Sequence, residues 1–462
     1  MAVYGAFVIA FWDFSIDDVF ISFRYAENLT DGYGLVFNPG DSPVEGYSNF
    51  LWVLLLAFTY KLGWPTYLVA KVIGVIFTLA TAGLWSWFFR NDTRPVVWLA
   101  APIFLICPIT ALWAVSGLEL GLYAFLVASV VISLLGQSGL HHSRWVYPSL
   151  VLLVLCRPEG FIIGAVAVLL ASYTDLRETT LNIKVRAFQL GTVIATTLSL
   201  MAFRVYIFGY PLPNTIYAKT GGDAVLSGLS MLGITVLPLL PAVALLLWKS
   251  RTLFSGPVDR SVIIMAGLFL SQLAISSMIN PVMNFHQRYL IAYLPLLLIV
   301  ALSAVAGFQG RRLRLLLTGI VAGSLLASLV SITESLDREA KIAAAQLQTV
   351  EVLSQLPDSA TVALSDAGRI PYYADNYFYD IWGLADERTG QEGFDPLRAM
   401  LLFPDYFLMV GFLRPDSTPE FRFGTERMIA EYDIFARAYR RIAVGKPPDA
   451  RTTDSGYYYF IY

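Results

Sequence analysis

With 462 residues, 56% of them hydrophobic and only 14% charged, and a mean hydropathy of +0.62, the chain is too apolar for a soluble globule and reads as a polytopic membrane protein. A net charge of −2, with basic residues scattered over short loops, excludes a nucleic-acid surface. The two cysteines, Cys107 and Cys156, both lie in apolar runs, which excludes a disulfide framework, a Cys-rich metal site and a thiol nucleophile.

Residues 1–12 are apolar but short of the roughly 20 a span needs, and lack the charged n-region and cleavage site of a signal peptide, so they read as a first span with a clipped start. A polar island follows. With Asp13 at its edge it holds seven of the fourteen carboxylates of the first 332 residues: Asp13, Asp17, Asp18, Glu27, Asp31, Asp41 and Glu45. Residues 15–29 read as one helix with Asp17 and Asp18 in its first turn, where the positive end of the helix dipole favours ionised carboxylates. Gly32, Gly34 and the pair Asn38-Pro39 end that helix.

The next apolar run, residues 50–62, spans only about 20 Å against a core of about 30 Å, so it lies along the membrane surface or re-enters. Further runs follow at 66–89, 96–113, 118–135, 145–156, 161–173, 187–208, 226–248, 261–278, 289–308 and 313–332. If 50–62 does not cross, five loops carrying twelve Lys or Arg share one side, which makes that side cytoplasmic. The result is about eleven transmembrane helices, with the N-terminus inside and the C-terminus outside. Residues 333–462 carry twenty acidic and thirteen basic side chains and no spanning run. A charged helix at 334–356, short apolar runs at 361–364, 378–381 and 406–410, and a helical stretch at 425–438 make this tail a soluble α/β domain.

That topology gathers the unusual polar residues at the outer face. Besides the island with Arg24, Glu45 and Tyr47, it receives Glu119, Arg157, Glu159, Arg204, Asn214, Tyr217, Lys219, His286 and Arg288. Ionisable groups at membrane depth are costly and point to function. Carboxylates can act as a base or hold sugar hydroxyls, and Arg or Lys can hold the phosphate of a lipid-borne substrate. Structural alternatives stand beside each: Asp17 as a helix cap or a partner of Arg24 two turns on, Arg157 and Glu159 neutralising one another, Lys219 and Arg288 snorkelling to headgroups, and Ser365-Asp366-Ala367-Gly368 simply building a loop.

The run DDVFISFRYAENLTDGYGLVFNPGDSPVEGYSNFLW, with SGLE, RPEG, PNTIYAK, QRYL and the later SDAGRIPYY and DIWGLAD, resembles GT-C glycosyltransferases that use polyprenyl-phosphate sugars. It is most similar to terminal β-arabinofuranosyltransferases of actinobacterial cell walls and their bacterial relatives. The resemblance implies a catalytic aspartate, Asp17 or Asp18, followed by juxtamembrane helices. It implies donor-phosphate contacts from Arg157, Lys219 and Arg288, and a soluble domain over the acceptor side. Arg24, Glu45, Tyr47, Glu119, Glu159, Asn214, Tyr217 and His286 are the candidate substrate contacts. The implied activity transfers a sugar, arabinofuranose or another such as mannose, from a polyprenyl-phosphate donor to an envelope glycan on the outer face of the cytoplasmic membrane. Nucleic acid plays no part, no cofactor is called for, and a divalent metal at the carboxylates stays open. A lipid-linked sugar flippase is the alternative, but it calls for charges at the membrane midplane rather than at one face.

Overall fold

The computed structural model describes residues 1–136, 144–219, 259–277, 288–306, 308–414, 416, 418–446 and 457–462. The expected span at 226–248 and His286 lie outside the described residues.

The chain opens with a nine-residue helix, Ala2–Ala10, and the first-loop helix runs Asp18–Thr30. It starts three residues later than the sequence pattern predicts, because Ser15 and Ile16 are buried as irregular chain beneath it. Phe50–Lys61 packs along it, joined by Ser22 Oγ to Asn49 Oδ1 at 3.1 Å and Thr30 Oγ1 to the Ala57 carbonyl at 3.0 Å. At 12 residues it is too short to cross a bilayer, as expected.

Three described helices are long and apolar enough to span: Thr66–Asn91, Gly160–Arg177 and Ile183–Phe208. The run expected as one span at 96–113 is instead a pair, Pro95–Ile106 and Pro108–Ala114, bent by 56°. The cause is Pro108, which holds Cys107 in an extended conformation (ψ 118°) and breaks the backbone ladder. Shorter apolar helices at Leu120–Leu135, Val146–Cys156, Arg260–Ser276 and Ile291–Val305 fill the bundle. Small residues let these helices touch: a Cβ on Gly121 would stand 2.5 Å from the Gly74 carbonyl. Both cysteines are buried and free.

The last span and the charged helix of the tail are one continuous helix of 44 residues, Gly310–Leu353. At 1.5 Å per residue it is about 66 Å long, so the boundary drawn at 332/333 falls inside it. Past it stands a mixed sheet in the order β2-β1-β3-β6-β5, with β1 Thr361–Leu364, β2 Tyr377–Asp380, β3 Tyr406–Leu413, β5 Ala443–Gly445 and β6 Tyr458–Ile461; β4, Pro419–Glu420, pairs the far end of β3. β1 is parallel to β2 and β3, while β6 is antiparallel to β3 and β5. The stretch expected as one helix at 425–438 is two, Gly424–Ala430 and Asp433–Ala438.

Candidate active site

Asp17 and Asp18 are neighbours at the start of the first-loop helix and have different partners. Asp17 is not a helix cap: its backbone is helical and its side chain bonds no helix N–H. Its Oδ1 instead accepts from the backbone N–H of Arg369 at 2.8 Å and from Gln346 Nε2 at 2.9 Å, both in the C-terminal part of the chain. Nor does it pair with Arg24. That guanidinium is spent on the Phe37 carbonyl (2.6 Å), the Pro371 carbonyl and Asn38 Oδ1 (3.3 Å), between the rings of Phe37 and Phe378. Arg24 thereby staples the first loop to the tail.

The expected helix-dipole stabilisation of an ionised Asp17 is reversed. Burial, and after it the nearby Asp366 carboxylate, raise Asp17 to about 7; the Arg369 N–H and guanidinium oppose the shift without cancelling it. Asp366 is likewise raised, first by burial, although Tyr459 donates to its Oδ2 at 2.6 Å.

Asp18 turns to the bundle, where its Oδ2 accepts from Arg288 Nη1 at 2.9 Å. The Arg288 guanidinium stands 5.1 Å from the centre of the Tyr289 ring, and that same ring carries Arg157, also at 5.1 Å. Two of the three cations expected at a donor phosphate therefore share one aromatic platform beside Asp18. They are not equivalent. Arg157 is buried between Glu159 (2.6 Å) and Glu119, and Asn49 Nδ2 donates to the second Glu119 oxygen at 2.7 Å. The mutual neutralisation of Arg157 and Glu159 is thus present, with Glu119 as a third member. Lys219 ends the short helix Asn214–Lys219, and its side chain is outside the described residues.

The remaining candidates sit away from the aspartates. Glu45 is buried in a two-pronged pair with Arg204, at 2.7 and 3.1 Å. Asn214 donates to the carbonyls of Gly383, Leu384 and Asp386 at 2.8–3.1 Å, fastening the segment after the Ile183–Phe208 helix to the tail. Tyr47 packs edge-on against Tyr25 at 4.8 Å. Tyr217 lines a shallow cleft of about 230 Å³ with Glu45, Tyr210, Asn214, Glu387 and Gln391. Among the described residues, no three His, Cys, Asp or Glu side chains are grouped so as to hold a metal.

Sequence reasoning misses Gln346, Asp366, Arg369 and Tyr459, all of which surround Asp17. It also misses Lys71, whose buried ammonium donates to the carbonyls of Trp12, Phe14 and Val115 at 2.8 Å each, locking the first loop over the bundle. The available signal for the tail residues is the Gly368-Arg369 pair: no Cβ fits at 368, because the glycine lies directly on the Asp17 backbone and carboxylate.

A domain of unknown function (DUF8728) matches residues 338–462. No curated protein matches the chain. Two crystal structures of ArnT from Cupriavidus metallidurans are similar over 100% of this chain and 97% of theirs at 12% identity. The TM-score is 0.58 for the form bound to undecaprenyl phosphate and 0.59 for the apo form. The chain therefore has the ArnT-like GT-C fold, a multi-pass helical membrane protein with a C-terminal sheet-containing domain.

Proposed function

We propose that the protein is a glycosyltransferase that moves a sugar from a polyprenyl-phosphate donor to an envelope glycan acceptor, at the outer face of the cytoplasmic membrane. The observation that carries this reading is the split aspartate pair: on an ArnT-like fold, Asp18 faces a cation while Asp17 faces the soluble domain. The ArnT form bound to undecaprenyl phosphate supports a donor of that lipid class. The sugar we propose is arabinofuranose, on the likeness of the first-loop and SGLE, RPEG and PNTIYAK segments to arabinofuranosyltransferases.

In this mechanism Asp17 takes the proton of the acceptor hydroxyl as its oxygen forms a bond to C1 of the donor sugar. The bond from C1 to the phosphate oxygen breaks through an oxocarbenium-like state, and polyprenyl phosphate leaves with the electron pair. A base raised by burial toward neutrality retains driving force to accept a proton, which is where general bases work best. Arg288 and Lys219 receive the phosphate charge, and Arg157 holds Tyr289 beneath Arg288. The base role requires inversion at C1.

The test is to incubate purified protein with polyprenyl-phosphate arabinofuranose, mannose and other sugars, together with envelope glycan fragments, and to read sugar transfer and anomeric configuration. Transfer with inversion supports the proposal. Translocation of the lipid-sugar without transfer would identify a flippase, and retention of configuration would remove Asp17 as base.

A further inference from the structure

The soluble domain reaches Asp17 from four separate elements. Gln346 comes from the 44-residue helix, Asp366 and Gly368 from the loop after β1, Arg369 from the first turn of the Arg369–Tyr373 helix, and Tyr459 from β6. Gln346 Nε2 donates to Asp17 Oδ1 at 2.9 Å, and the same side chain lies beside Asp366, whose Oδ2 accepts from Tyr459 Oη at 2.6 Å. The Arg369 guanidinium grips Gln346 Oε1 and Ser15 Oγ (3.0 Å) and stacks on Phe20 at 4.7 Å, while its backbone N–H holds Asp17 at 2.8 Å. Gln346 and Arg369 are both buried, so water does not substitute readily for either.

We propose that Asp366 is a positioning residue for Asp17, acting through Gln346, and that the soluble domain is an obligate half of the reacting centre rather than only a roof over the acceptor. Asp366, anchored by Tyr459, fixes the Gln346 amide, and Gln346 together with the Arg369 N–H fixes the Asp17 carboxylate. This inference rests on Asp17 being the base of the proposed transfer.

The charged and titratable groups facing this pair are Asp18 from the first-loop helix, Glu339 from the long helix, Arg369, Tyr459, and Glu426 beside Asp366. Of these, Asp366 is the carboxylate that raises Asp17 most, after burial itself. Removing its charge while keeping its shape therefore lowers the pH at which Asp17 ionises.

The experiment compares the full-length wild type with Asp366→Asn and Gln346→Ala, reading kcat, KM and the pH profile of transfer. In Asp366→Asn the acid limb is expected to move down by about half a pH unit or more. In Gln346→Ala kcat is expected to fall at least about tenfold with little change in KM. A wild-type pH profile in the first variant with wild-type kcat in the second overturns the proposal. Melting temperature against pH, without substrate, for Asp17→Asn, Asp366→Asn and the double variant keeps the two readings apart. A carboxyl raised on folding contributes stability below its unfolded pKa and loses it as pH rises through the folded value. Each single variant should thus reduce the fall in melting temperature toward pH 8, and the double variant should gain less than their sum. Such non-additivity with no transfer from any donor leaves the Asp17–Asp366 linkage standing and removes the functional reading. Additive shifts alongside normal transfer overturn the linkage alone.

Discussion

The carboxylate of Asp17 accepts a hydrogen bond of 2.8 Å from the backbone N–H of Arg369, which lies 352 positions further along the chain. A residue just before the first-loop helix is thus oriented by the last quarter of the sequence. On the proposed mechanism, the soluble domain cannot be removed without disarming the base.

Gly368 tests how closely this contact is set. A methyl group there would run into both the backbone oxygen and the carboxylate of Asp17. Overpacking of this kind costs about 1–3 kcal/mol, and displacement of a catalytic group by an ångström costs up to about 10²-fold in rate. Gly368→Ala should therefore lower the melting temperature modestly and transfer severely. Unchanged transfer in a folded variant would mean that the contact yields freely.

What the sequence reveals and what it conceals follow from the range of the interactions. β1 is legible to the residue because a short apolar run bounded by turn residues is a local signal. The break at Cys107 is written in Pro108, but a continuous apolar run hides it when hydropathy alone is read. The late start of the first-loop helix escapes because nothing local distinguishes a helix N-terminus at Ser15 from irregular chain buried by distant packing. Asp17 stands out as an unusual carboxylate near a membrane, yet its partners are invisible. Asp366 and Arg369 belong to a motif that reads as a loop, and Gln346 sits on a helix with no pattern that marks it. The same holds for Glu45 and Arg204, which read as separate outer-face charges and prove to be each other's partners.

Loss of that pair has a direct cost. Removing one member of a buried, doubly hydrogen-bonded ion pair strands the other, at about 3–5 kcal/mol. Arg204→Met should be strongly destabilised, and Glu45→Gln in the same chain should recover part of the loss. Burial already lifts the Glu45 carboxyl to about 7, so in Arg204→Met the stranded group is neutral at low pH and the defect should grow between about pH 5 and pH 8. Thermal unfolding of the wild type, Arg204→Met and the double variant at both pH values measures this. Equal stability of Arg204→Met and wild type at the higher pH would show that the pair is dispensable.

Orientation in the membrane is open to chemical labelling. Thr93 and Thr418 are both exposed, and on the charge distribution they face opposite sides. In a background lacking Cys107 and Cys156, an impermeant thiol reagent should label Thr418→Cys in intact cells and reach Thr93→Cys only after permeabilisation. The reverse pattern would invert the topology.

The donor-phosphate assignment predicts a selective defect. Arg288→Ala and Lys219→Ala should raise the KM for donor by about tenfold or more each, since a charge-assisted contact contributes about 1.5–3 kcal/mol. Arg288→Lys should recover part of the loss, because it restores charge opposite Asp18 without the planar fork. Wild-type donor kinetics in both alanine variants would leave these side chains as headgroup anchors.

The most direct measurement is sugar transfer by Asp17→Asn from a polyprenyl-phosphate donor, with donor binding read on the same preparation. Asn keeps the shape of Asp and can still accept from Gln346 and the Arg369 N–H through its amide oxygen, so folding and donor binding should persist. It cannot take a proton at neutral pH, so transfer should fall by at least about 10²-fold. Transfer near the wild-type rate by a folded, donor-binding Asp17→Asn would contradict the account and move the search for the base to Asp18.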